Sequence, residues 1–270
     1  MTTISAVSLT TDAVPVLEPH RFPEDRLERY LLKQVEGFTA PLKVEQTQGG
    51  MSNPTFILTD RAGQRYVLRK KPPGKLLPSA HAVDREFQVI SALWNTDVPV
   101  ARPYVLCQDP SVIGTDFYIM SFVEGRVFRV QTLPHLEPAA RQAIYTAMID
   151  TLAKLHNVDY QAVGLESYGR VGGYLSRQVT RWSQQYEASK TDDLPAMDKL
   201  MAWLLKHIPA DDETTIAHGD YRLENLIFHL TEPRVLAVID WELGTLGAPL
   251  SDLAYNCLPY HVSDLSLIHI

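Results

Sequence analysis

The sequence predicts an α+β protein with two lobes, an N-terminal lobe built on an antiparallel sheet and a mostly helical C-terminal lobe. Short alternating runs separated by turn residues dominate roughly the first 120 residues, and apolar residues recur at helical spacing over much of the remainder. A length of 270 residues suits two lobes of roughly 100 to 150 residues each. We therefore expect a flexible tail over residues 1–20, a first lobe over 21–123 and a second lobe over 124–270.

The first lobe begins with a helix and continues as strands. Pro23 and the acidic residues after it favour a helix start, and Leu27, Leu31 and Val35 fall on one face of that helix. Alternating runs bounded by turn residues then predict an antiparallel meander. The predicted strands span residues 42–48, 55–59, 64–69 and 116–123, and a helix is predicted over residues 84–94.

The second lobe contains three stretches in which apolar residues recur every three or four positions. Each stretch predicts an amphipathic helix, because this spacing places the apolar side chains on one helical face. The periodic residues are Ile144, Met148, Leu152 and Leu155 in the first stretch, Leu175, Val179, Trp182 and Tyr186 in the second, and Met197, Leu200, Met201, Leu204 and Leu205 in the third.

The overall composition excludes several classes of protein. Acidic residues outnumber basic residues by 32 to 25, and the resulting net charge of −7 disfavours a nucleic-acid binder that works by counterion release. The two cysteines, Cys107 and Cys257, cannot form a disulfide framework. We find neither a secretory leader nor an apolar run of about 18 residues, so we expect a cytoplasmic protein without membrane contact.

A hairpin within the helical half carries the strongest functional signal. Apolar runs over 226–230 and 235–239 flank a four-residue turn that contains a proline. If residues 231 and 234 close this turn, Asn225 lies directly opposite Asp240, with Cβ atoms about 5 Å apart. An amide oxygen and a carboxylate at that separation can share a hard cation such as Mg²⁺. The pair therefore predicts a magnesium site.

The loop before the hairpin contains His218-Gly219-Asp220. Asp220 lies five residues before Asn225, so it can face the metal without ligating it. We expect His218 to orient the loop through hydrogen bonds rather than to titrate in catalysis. A purely structural interpretation remains open, in which Asp220 caps a turn, Asn225 ends a strand and Asp240 starts a loop.

A second functional signal lies in the strand-rich half. Gly49 and Gly50 interrupt two alternating runs, so backbone amides at this hairpin tip can approach phosphate oxygens. Residues 64–75 contain no acid, and alternation places Arg69 and Lys71 on one face of the strand. The basic residues of this run are Arg65, Arg69, Lys70, Lys71 and Lys75. They suit either a phosphate clamp or a solvated edge, and Glu86 is the candidate partner of the inward cation.

The order of these features resembles the aminoglycoside phosphotransferase family, which has a protein-kinase-like fold. The shared features are the Gly-rich hairpin, the basic strand end, the helix glutamate, a hinge, the His-x-Asp-x4-Asn motif and the Ile-Asp-Trp-Glu motif. The similarity covers about residues 21–261. It is greatest to phosphotransferase domains that precede acyl-CoA dehydrogenase domains.

The resemblance implies a role for each candidate residue. Asp220 would be the catalytic base, and Asn225 would serve catalysis by binding Mg²⁺ together with Asp240. The phosphates of ATP would be covered by Gly49, Gly50, Met51, Ser52 and Asn53. Arg69 would contact the α- and β-phosphates, with Glu86 as its ion-pair partner. Adenine would be faced by Ser121, Phe122 and Val123, and Asp252 would support the loop. Protein kinases use lysine where Arg69 stands, so Lys71 remains an alternative for the phosphate contact.

The activity that the resemblance implies is transfer of the γ-phosphoryl group of ATP to an alcohol of a small metabolite, with hydroxyacyl-CoA thioesters among the candidates. Two alternatives are a non-catalytic nucleotide-binding domain and a metal-dependent hydrolase built from His218, Asp220, Asp240 and His261. Family members continue for several helices beyond the point where this sequence ends. We therefore expect an incomplete acceptor site, with apolar surface left open for self-association at Leu253, Tyr255 and Leu258.

Overall fold

A computed structural model describes residues 7–10, 13–47, 53–72, 82–210, 213–258 and 261. The chain divides into two compact units. The first contains Met1–Leu155 and Arg222–Gly244, and the second contains His156–Tyr221 and Thr245–Ile270. This grouping differs from the predicted lobes, because the strands on either side of the 231–234 turn belong to the first unit and not to the second. The lobe boundary at residue 123 stays a prediction.

The elements are numbered in chain order. The strands are β1 (Val7–Leu9), β2 (Ala13–Val14), β3 (Lys43–Thr47), β4 (Thr55–Thr59), β5 (Arg65–Lys70), β6 (Pro103–Cys107), β7 (Phe117–Ser121), β8 (Arg126–Phe128), β9 (Thr215–Ala217), β10 (Leu226–Phe228), β11 (Val235–Val238) and β12 (Thr245–Gly247). The helices are α1 (Glu24–Gln34), α2 (Val83–Leu93), α3 (Pro110–Ile113), α4 (Pro138–His156), α5 (Tyr174–Ser189), α6 (Pro195–Lys206) and α7 (Pro249–Cys257). Within the described residues, none of the helices has the length and apolar character needed to cross a membrane.

The main sheet of the first unit has six strands in the order β2-β3-β4-β5-β7-β6, and all neighbouring strands are antiparallel. The predicted meander is confirmed as β3, β4 and β5. Its second turn forms because Asp60 Oδ1 accepts a hydrogen bond from the Gln64 N–H at 2.9 Å, and Gly63 adopts a left-handed φ of 81°. The predicted antiparallel sheet is therefore present.

Helix α1 packs on one face of this sheet. Leu27, Leu31 and Val35 are buried in one cluster with Leu68 of β5, as their spacing predicted. Burial of each such side chain contributes about 1.5 to 3 kcal/mol, which fixes the helix on the sheet. Since side chains alternate along a strand, Leu68 on the α1 face places Arg69 on the opposite face.

A smaller sheet in the same unit has the order β1-β8-β10-β11. Strand β1 pairs with β8, and the Thr10 hydroxyl accepts a hydrogen bond from the Gly125 N–H at 3.0 Å. Residues 7–9 and 13–14 of the predicted tail therefore form short strands, and the flexibility of the tail stays a prediction. These strands, β1 and β2, pair with β8 and β3. The pairing was not predicted, because the sequence of residues 1–20 shows no sustained alternation of apolar and polar residues.

Helix α4 completes the described part of the first unit with the predicted periodic face. Ile144, Met148, Leu152 and Leu155 are all buried. The four residues follow the three- and four-residue spacing of one helical stripe, so the spacing correctly identified the inward side of the helix.

The second unit contains the two-stranded sheet of β9 and β12 and the helices α5, α6 and α7. Helices α5 and α6 occur where their periods predicted them, and they pack against each other. Every residue of both helices is described and none is buried, and Trp182 and Trp203 are each more than half exposed. The period therefore predicted the helices correctly, although their apolar faces remain accessible.

Candidate active site

The centre of the candidate site is an ion pair between Arg69 of β5 and Glu86 of α2. The Arg69 Nε atom lies 3.2 Å from Glu86 Oε2, and the two side chains are only 9% and 1% exposed. Arg69 points away from the α1 core, and Glu86 lies in the first turn of α2, which packs against β6 and β7. The contact that sequence analysis predicted between these side chains is present in the structure.

Two further side chains donate hydrogen bonds to Glu86. The Asn53 side-chain amide donates to Oε1 at 2.7 Å, and the Tyr118 hydroxyl donates to Oε2 at 2.9 Å. Asn53 is fully buried, and Tyr118 of β7 is almost so. Each oxygen of the buried carboxylate therefore has a hydrogen-bond donor, as a charge removed from water requires.

Burial and neighbouring charges shift the pKa values of this cluster. Burial raises the pKa of the Glu86 carboxyl above its ordinary value, although Arg69 and the Tyr118 hydroxyl act against that rise. Burial is the largest single influence on Arg69 and lowers its pKa, but Glu86, Tyr118 and Asp240 together outweigh burial, so that the pKa is raised. Burial also raises the pKa of Tyr118. The guanidinium therefore stays charged, and the phenol keeps the proton that it donates.

The second partner of Arg69 is Asp240, which follows strand β11. Arg69 Nη2 donates a hydrogen bond to Asp240 Oδ1 at 3.1 Å, and the Asp240 side chain is 35% exposed. Asp240 has a left-handed backbone, with φ 66° and ψ 59°, and it precedes the 3-10 turn Trp241–Leu243. Aspartate tolerates this conformation better than most residues, and it turns the chain out of the strand beside Arg69.

The predicted register of the β10–β11 hairpin is wrong by one residue. Asn225 is not directly opposite Asp240, because the Ile239 N–H donates to the Asn225 carbonyl oxygen at 2.9 Å. The His229 N–H donates to the Arg234 carbonyl oxygen at 2.8 Å, and an irregularity between Ile227 and Phe228 then shifts the pairing. The prediction closed the turn at residues 231 and 234, whereas the closing pair His229 and Arg234 shifts the pairing by two residues. The irregularity reduces this shift to one residue, because a β-bulge adds a residue to one strand.

The donor set at this end of the hairpin nevertheless suits a hard cation. Asn225, which ends the 3-10 turn Leu223–Asn225, and Asp240 flank the same end of the β10–β11 pair. Within the described residues, Asp240 Oδ2 accepts no hydrogen bond, whereas Oδ1 accepts one from Arg69. An amide oxygen and a free carboxylate oxygen are ligands that Mg²⁺ accepts together with water and phosphate oxygens.

The Gly-rich segment lies mostly outside the described residues, which exclude Gly49, Gly50, Met51 and Ser52. Asn53, the last residue of the predicted phosphate cover, is described, and its side-chain amide binds Glu86. Asn53 therefore contributes to the arginine–glutamate cluster through its side chain.

The alternative cation, Lys71, has a different environment. Its Nζ atom lies 2.6 Å from Asp116 Oδ2, and both side chains are about a quarter exposed. Asp116 lies one residue before β7, outside the Glu86 cluster. Among the two candidates for the phosphate contact, Arg69 is therefore the one that shares a cluster with Glu86 and Asp240.

The predicted hinge, residues 121–123, begins at the last residue of β7. The Ser121 N–H donates to the Arg102 carbonyl oxygen at 2.8 Å, and the Phe122 N–H donates to the Arg65 carbonyl oxygen at 3.4 Å. The Arg65 guanidinium also lies 4.2 Å from the Phe122 ring centroid. Val123 is different, because its backbone groups make no hydrogen bond with any described residue. Val123 is therefore the hinge residue whose backbone N–H is best able to donate a hydrogen bond to a nucleotide base.

Asp220 belongs to the second unit, where a buried carboxylate holds its loop. Asp252 of α7 accepts hydrogen bonds from the N–H groups of His218 and Gly219, both at 2.8 Å. Gly219 has a left-handed φ of 84°, and the Asp220 N–H donates to His218 Nδ1 at 3.2 Å. These bonds orient the loop, which is the role expected for His218 and Asp252.

Sequence reasoning missed two residues of these clusters, Tyr118 and His156. His156 Nε2 lies 3.1 Å from Asp252 Oδ2, so it is a third partner of that carboxylate. Tyr118 stands in an apolar run and His156 at a helix end, and neither position differs from ordinary core or surface patterns. Tyr118 is recognised as part of the cluster once the structure shows that it pairs with Arg69 across neighbouring strands.

Comparison with known proteins agrees with this geometry. The model of the family described as "Phosphotransferase enzyme family" matches residues 43–264. Acyl-CoA dehydrogenase family member 11 from Homo sapiens is 50% identical over 255 residues, which are 93% of this chain and 33% of that protein. The chain thus spans about a third of the length of the curated relatives it matches.

Two solved structures support the fold. A protein of Ralstonia eutropha JMP134 that is classed as an aminoglycoside phosphotransferase is 53% identical, with a TM-score of 0.82 over 90% of this chain and 71% of that chain. The ternary complex of streptomycin, ATP and APH(2″)-IIa gives a TM-score of 0.58 at 20% identity, over 87% of this chain and 75% of that chain. The first likeness confirms the predicted α+β fold class and the resemblance to aminoglycoside phosphotransferases, and the second is a likeness of fold alone.

Proposed function

The chain belongs to the phosphotransferase enzyme family, and from this premise we propose that it transfers the γ-phosphoryl group of ATP to a hydroxyl group of a small metabolite. The single observation that carries the proposal is the contact of Arg69 with both Glu86 and Asp240. A buried guanidinium beside a partly exposed carboxylate suits a site where phosphates and a divalent cation meet.

Each candidate residue has one role in the proposed reaction. Arg69 neutralises charge on the α- and β-phosphates, residues 49–53 cover the phosphates, and the backbone of residues 121–123 faces the base. Asn225 and Asp240 would hold Mg²⁺, which supplies neutralisation of phosphate charge when bound. Catalysis would then depend mostly on positioning and on charge.

The chemical step is a displacement at phosphorus. The acceptor oxygen forms a bond to the γ-phosphorus while the bond from that phosphorus to the bridging oxygen of ADP breaks. Asp220 accepts the proton of the acceptor hydroxyl, and ADP leaves with the electron pair of the broken bond. The hydrogen bonds from His218 and Gly219 to Asp252 support this role, because a base must be held in position.

The acceptor class that we favour is a hydroxyacyl-CoA thioester. Relatives named acyl-CoA dehydrogenase are about 50% identical to this chain and about three times as long. In those relatives, the segment that matches this chain is therefore joined to further sequence in the same polypeptide. A kinase and a dehydrogenase joined in one chain would act on related substrates. Such thioesters and ATP are consistent with the cytoplasmic location that the composition favours.

The test is incubation of the chain with Mg·ATP and a panel of alcohols that includes hydroxyacyl-CoA thioesters, followed by mass spectrometry of the acceptors. We expect one acceptor class to gain a phosphoryl group. We expect Asp220→Asn to lower kcat by about 10² to 10⁴ with the Kd for Mg·ATP unchanged. Asp193→Asn is the matched control, because Asp193 is an exposed carboxylate in an ion pair with Lys190.

The same experiment separates the alternatives. Binding of Mg·ATP without phosphorylation of any acceptor would support a non-catalytic nucleotide-binding domain. Thermal stabilisation by Zn²⁺ but not by Mg·ATP would support the hydrolase, although within the described part of the chain no three His, Cys, Asp or Glu side chains are arranged to hold a metal. An unchanged kcat in Asp220→Asn would refute the assignment of the base.

A further inference from the structure

Tyr118 occupies a special place in the main sheet, directly opposite Arg69 on the neighbouring strand. The register pairs Arg69 of β5 with Tyr118 of β7, so their side chains share the sheet face toward Glu86. The Tyr118 ring lies 5.9 Å from the ring centroid of Phe87, the residue after Glu86 on α2. Tyr118 is therefore fixed between the strand that carries the cation and the helix that carries its partner.

The hydroxyl of Tyr118 acts on the same carboxylate oxygen that Arg69 approaches. Tyr118 donates to Glu86 Oε2 at 2.9 Å, and Arg69 Nε lies 3.2 Å from that oxygen. Arg69 Nε is close enough for an ion pair but forms no hydrogen bond with any described residue. Arg69 therefore attracts Glu86 by charge, whereas directional hydrogen bonds come from other donors.

Those other donors are Tyr118 and Asn53. The Asn53 amide holds Oε1 at 2.7 Å, so the two donors fix both oxygens and thereby the plane of the carboxylate. A carboxylate with fixed oxygens sets the direction from which the guanidinium can approach it. The remaining end of Arg69 then reaches Asp240 at 3.1 Å.

We propose that Tyr118 is a positioning residue that aims Glu86 at Arg69 and so holds the guanidinium where it meets nucleotide phosphates. Asn53 shares this task through the opposite carboxylate oxygen. The proposal rests on the proposed function, because it needs a nucleotide whose phosphates contact Arg69. A phenylalanine at position 118 would fill the same core volume, and only the loss of the hydroxyl would affect Glu86.

The experiment compares Tyr118→Phe with Tyr66→Phe by calorimetric titration with Mg·ATP. Tyr66 is a buried tyrosine of β5 in the same sheet, and it packs in the α1 core rather than on Glu86. We expect Tyr118→Phe to weaken Mg·ATP binding about ten-fold, as loss of one hydrogen bond to a charged group does. We expect Tyr66→Phe to bind like the wild type.

A double-mutant cycle excludes a merely structural effect. In a Glu86→Gln background, Tyr118→Phe should change the Kd for Mg·ATP by less than about two-fold, because the hydroxyl acts through the Glu86 charge. Asn53→Ala gives a second variant, and we expect it to weaken binding in the same direction as Tyr118→Phe. A ten-fold loss that persists in the Glu86→Gln background would overturn the proposal.

The outcomes separate this inference from the proposed function. If the wild type binds Mg·ATP and Tyr118→Phe binds it equally well, Tyr118 has no positioning role and the proposed function is unaffected. If the wild type does not bind Mg·ATP, the proposed function fails and this inference fails with it.

Discussion

At the scale of single residues, the geometry of Arg69 explains why an arginine suits a position where protein kinases have lysine. The guanidinium contacts Glu86 through Nε and Asp240 through Nη2. A lysine ammonium is one compact charge, and it could not meet both carboxylates with separate nitrogen atoms. The arginine therefore links helix α2 to the residue that follows β11.

We predict that Arg69→Ala weakens Mg·ATP binding more than Lys71→Ala. Loss of the charge-assisted phosphate contact should cost about 1.5 to 3 kcal/mol in binding free energy. Lys71 pairs with Asp116, so its removal should have a smaller effect. Calorimetry of both variants measures the difference, and equal losses would show that Lys71 also reaches the nucleotide.

A second basic residue of β5, Lys70, has an unfavourable environment. It is buried, its Nζ atom lies 5.9 Å from the Phe56 ring centroid, and its ammonium has no hydrogen bond or ion pair with another described residue. Burial lowers the pKa of Lys70 below its ordinary value. Below the lowered pKa, the charged ammonium therefore costs folding free energy.

We predict that Lys70→Met stabilises the protein at neutral pH. The gain should be about 0.5 to 2 kcal/mol, the usual range for stabilising substitutions. It should shrink as the pH rises from the lowered pKa toward the ordinary lysine value of about 10.4, since the cost of the charge disappears there. Urea unfolding across this pH range measures it, with the exposed Lys43→Met as control. A gain that does not depend on pH would contradict the role of charge.

The sequence predicted some residues of the candidate site and missed others for identifiable reasons. Alternation along β5 together with the family resemblance predicted the Arg69–Glu86 contact. Tyr118 was missed, because a tyrosine within an apolar strand has the ordinary pattern of a core residue. The pairing of Asn225 with Asp240 was wrong, since the turn closes at His229 and Arg234 rather than at residues 231 and 234, and the apolar pattern does not specify the closing pair.

At the scale of elements, periodicity predicted helices better than it predicted short edge strands. Helix α1 and strands β3, β4 and β5 lie within about two residues of their predicted bounds, which is the usual uncertainty of such bounds. The short strands β1, β2, β6, β8, β9 and β12 were not predicted, and β1 and β6 illustrate the reason. β1 has three residues and lies at a sheet edge, and β6 begins with proline, so neither shows a sustained alternation.

Gly125, which joins β7 to β8, has no room for a side chain. A Cβ atom there would lie 2.3 Å from the Phe228 carbonyl oxygen and 2.5 Å from Ile227 Cγ2. We predict that Gly125→Ala lowers the free energy of unfolding by about 1 to 3 kcal/mol, because the backbone of β10 must shift. Thermal unfolding measures this change.

The control for this prediction is Gly37→Ala. A Cβ at Gly37 would meet no atom within 4 Å, but the residue has a left-handed φ of 81°. Its substitution should cost only backbone strain, of about 1 kcal/mol. An equal effect at both positions would show that the close approach of β10 to Gly125 is unimportant.

At the scale of the whole molecule, exposed apolar residues gather on helix α7 and just after it. Leu253 is 39% exposed, Tyr255 is 42% exposed and Leu258 is 37% exposed. Exposed apolar side chains lose unfavourable contact with water when they pack on another apolar surface. We propose that this chain self-associates through these residues.

We predict that the average mass in sedimentation rises with protein concentration. Leu253→Ser combined with Leu258→Ser should shift the association constant about ten-fold or more toward monomer, because two apolar contacts are lost. Leu230→Ser is the control, since Leu230 is an exposed apolar residue outside α7. If the control variant dissociates to the same extent, the association depends on exposed apolar residues in general and not on Leu253 and Leu258.

The hydrogen bonds that Asp252 accepts have a consequence for solvent exchange. The N–H groups of His218 and Gly219 belong to a loop, and loop amides normally exchange their hydrogen for deuterium quickly. Here a buried carboxylate holds both of them, so their exchange requires α7 and the loop to separate. These two amides should therefore exchange as slowly as those of β9, and the slow segment of the chain should extend two residues beyond the end of that strand.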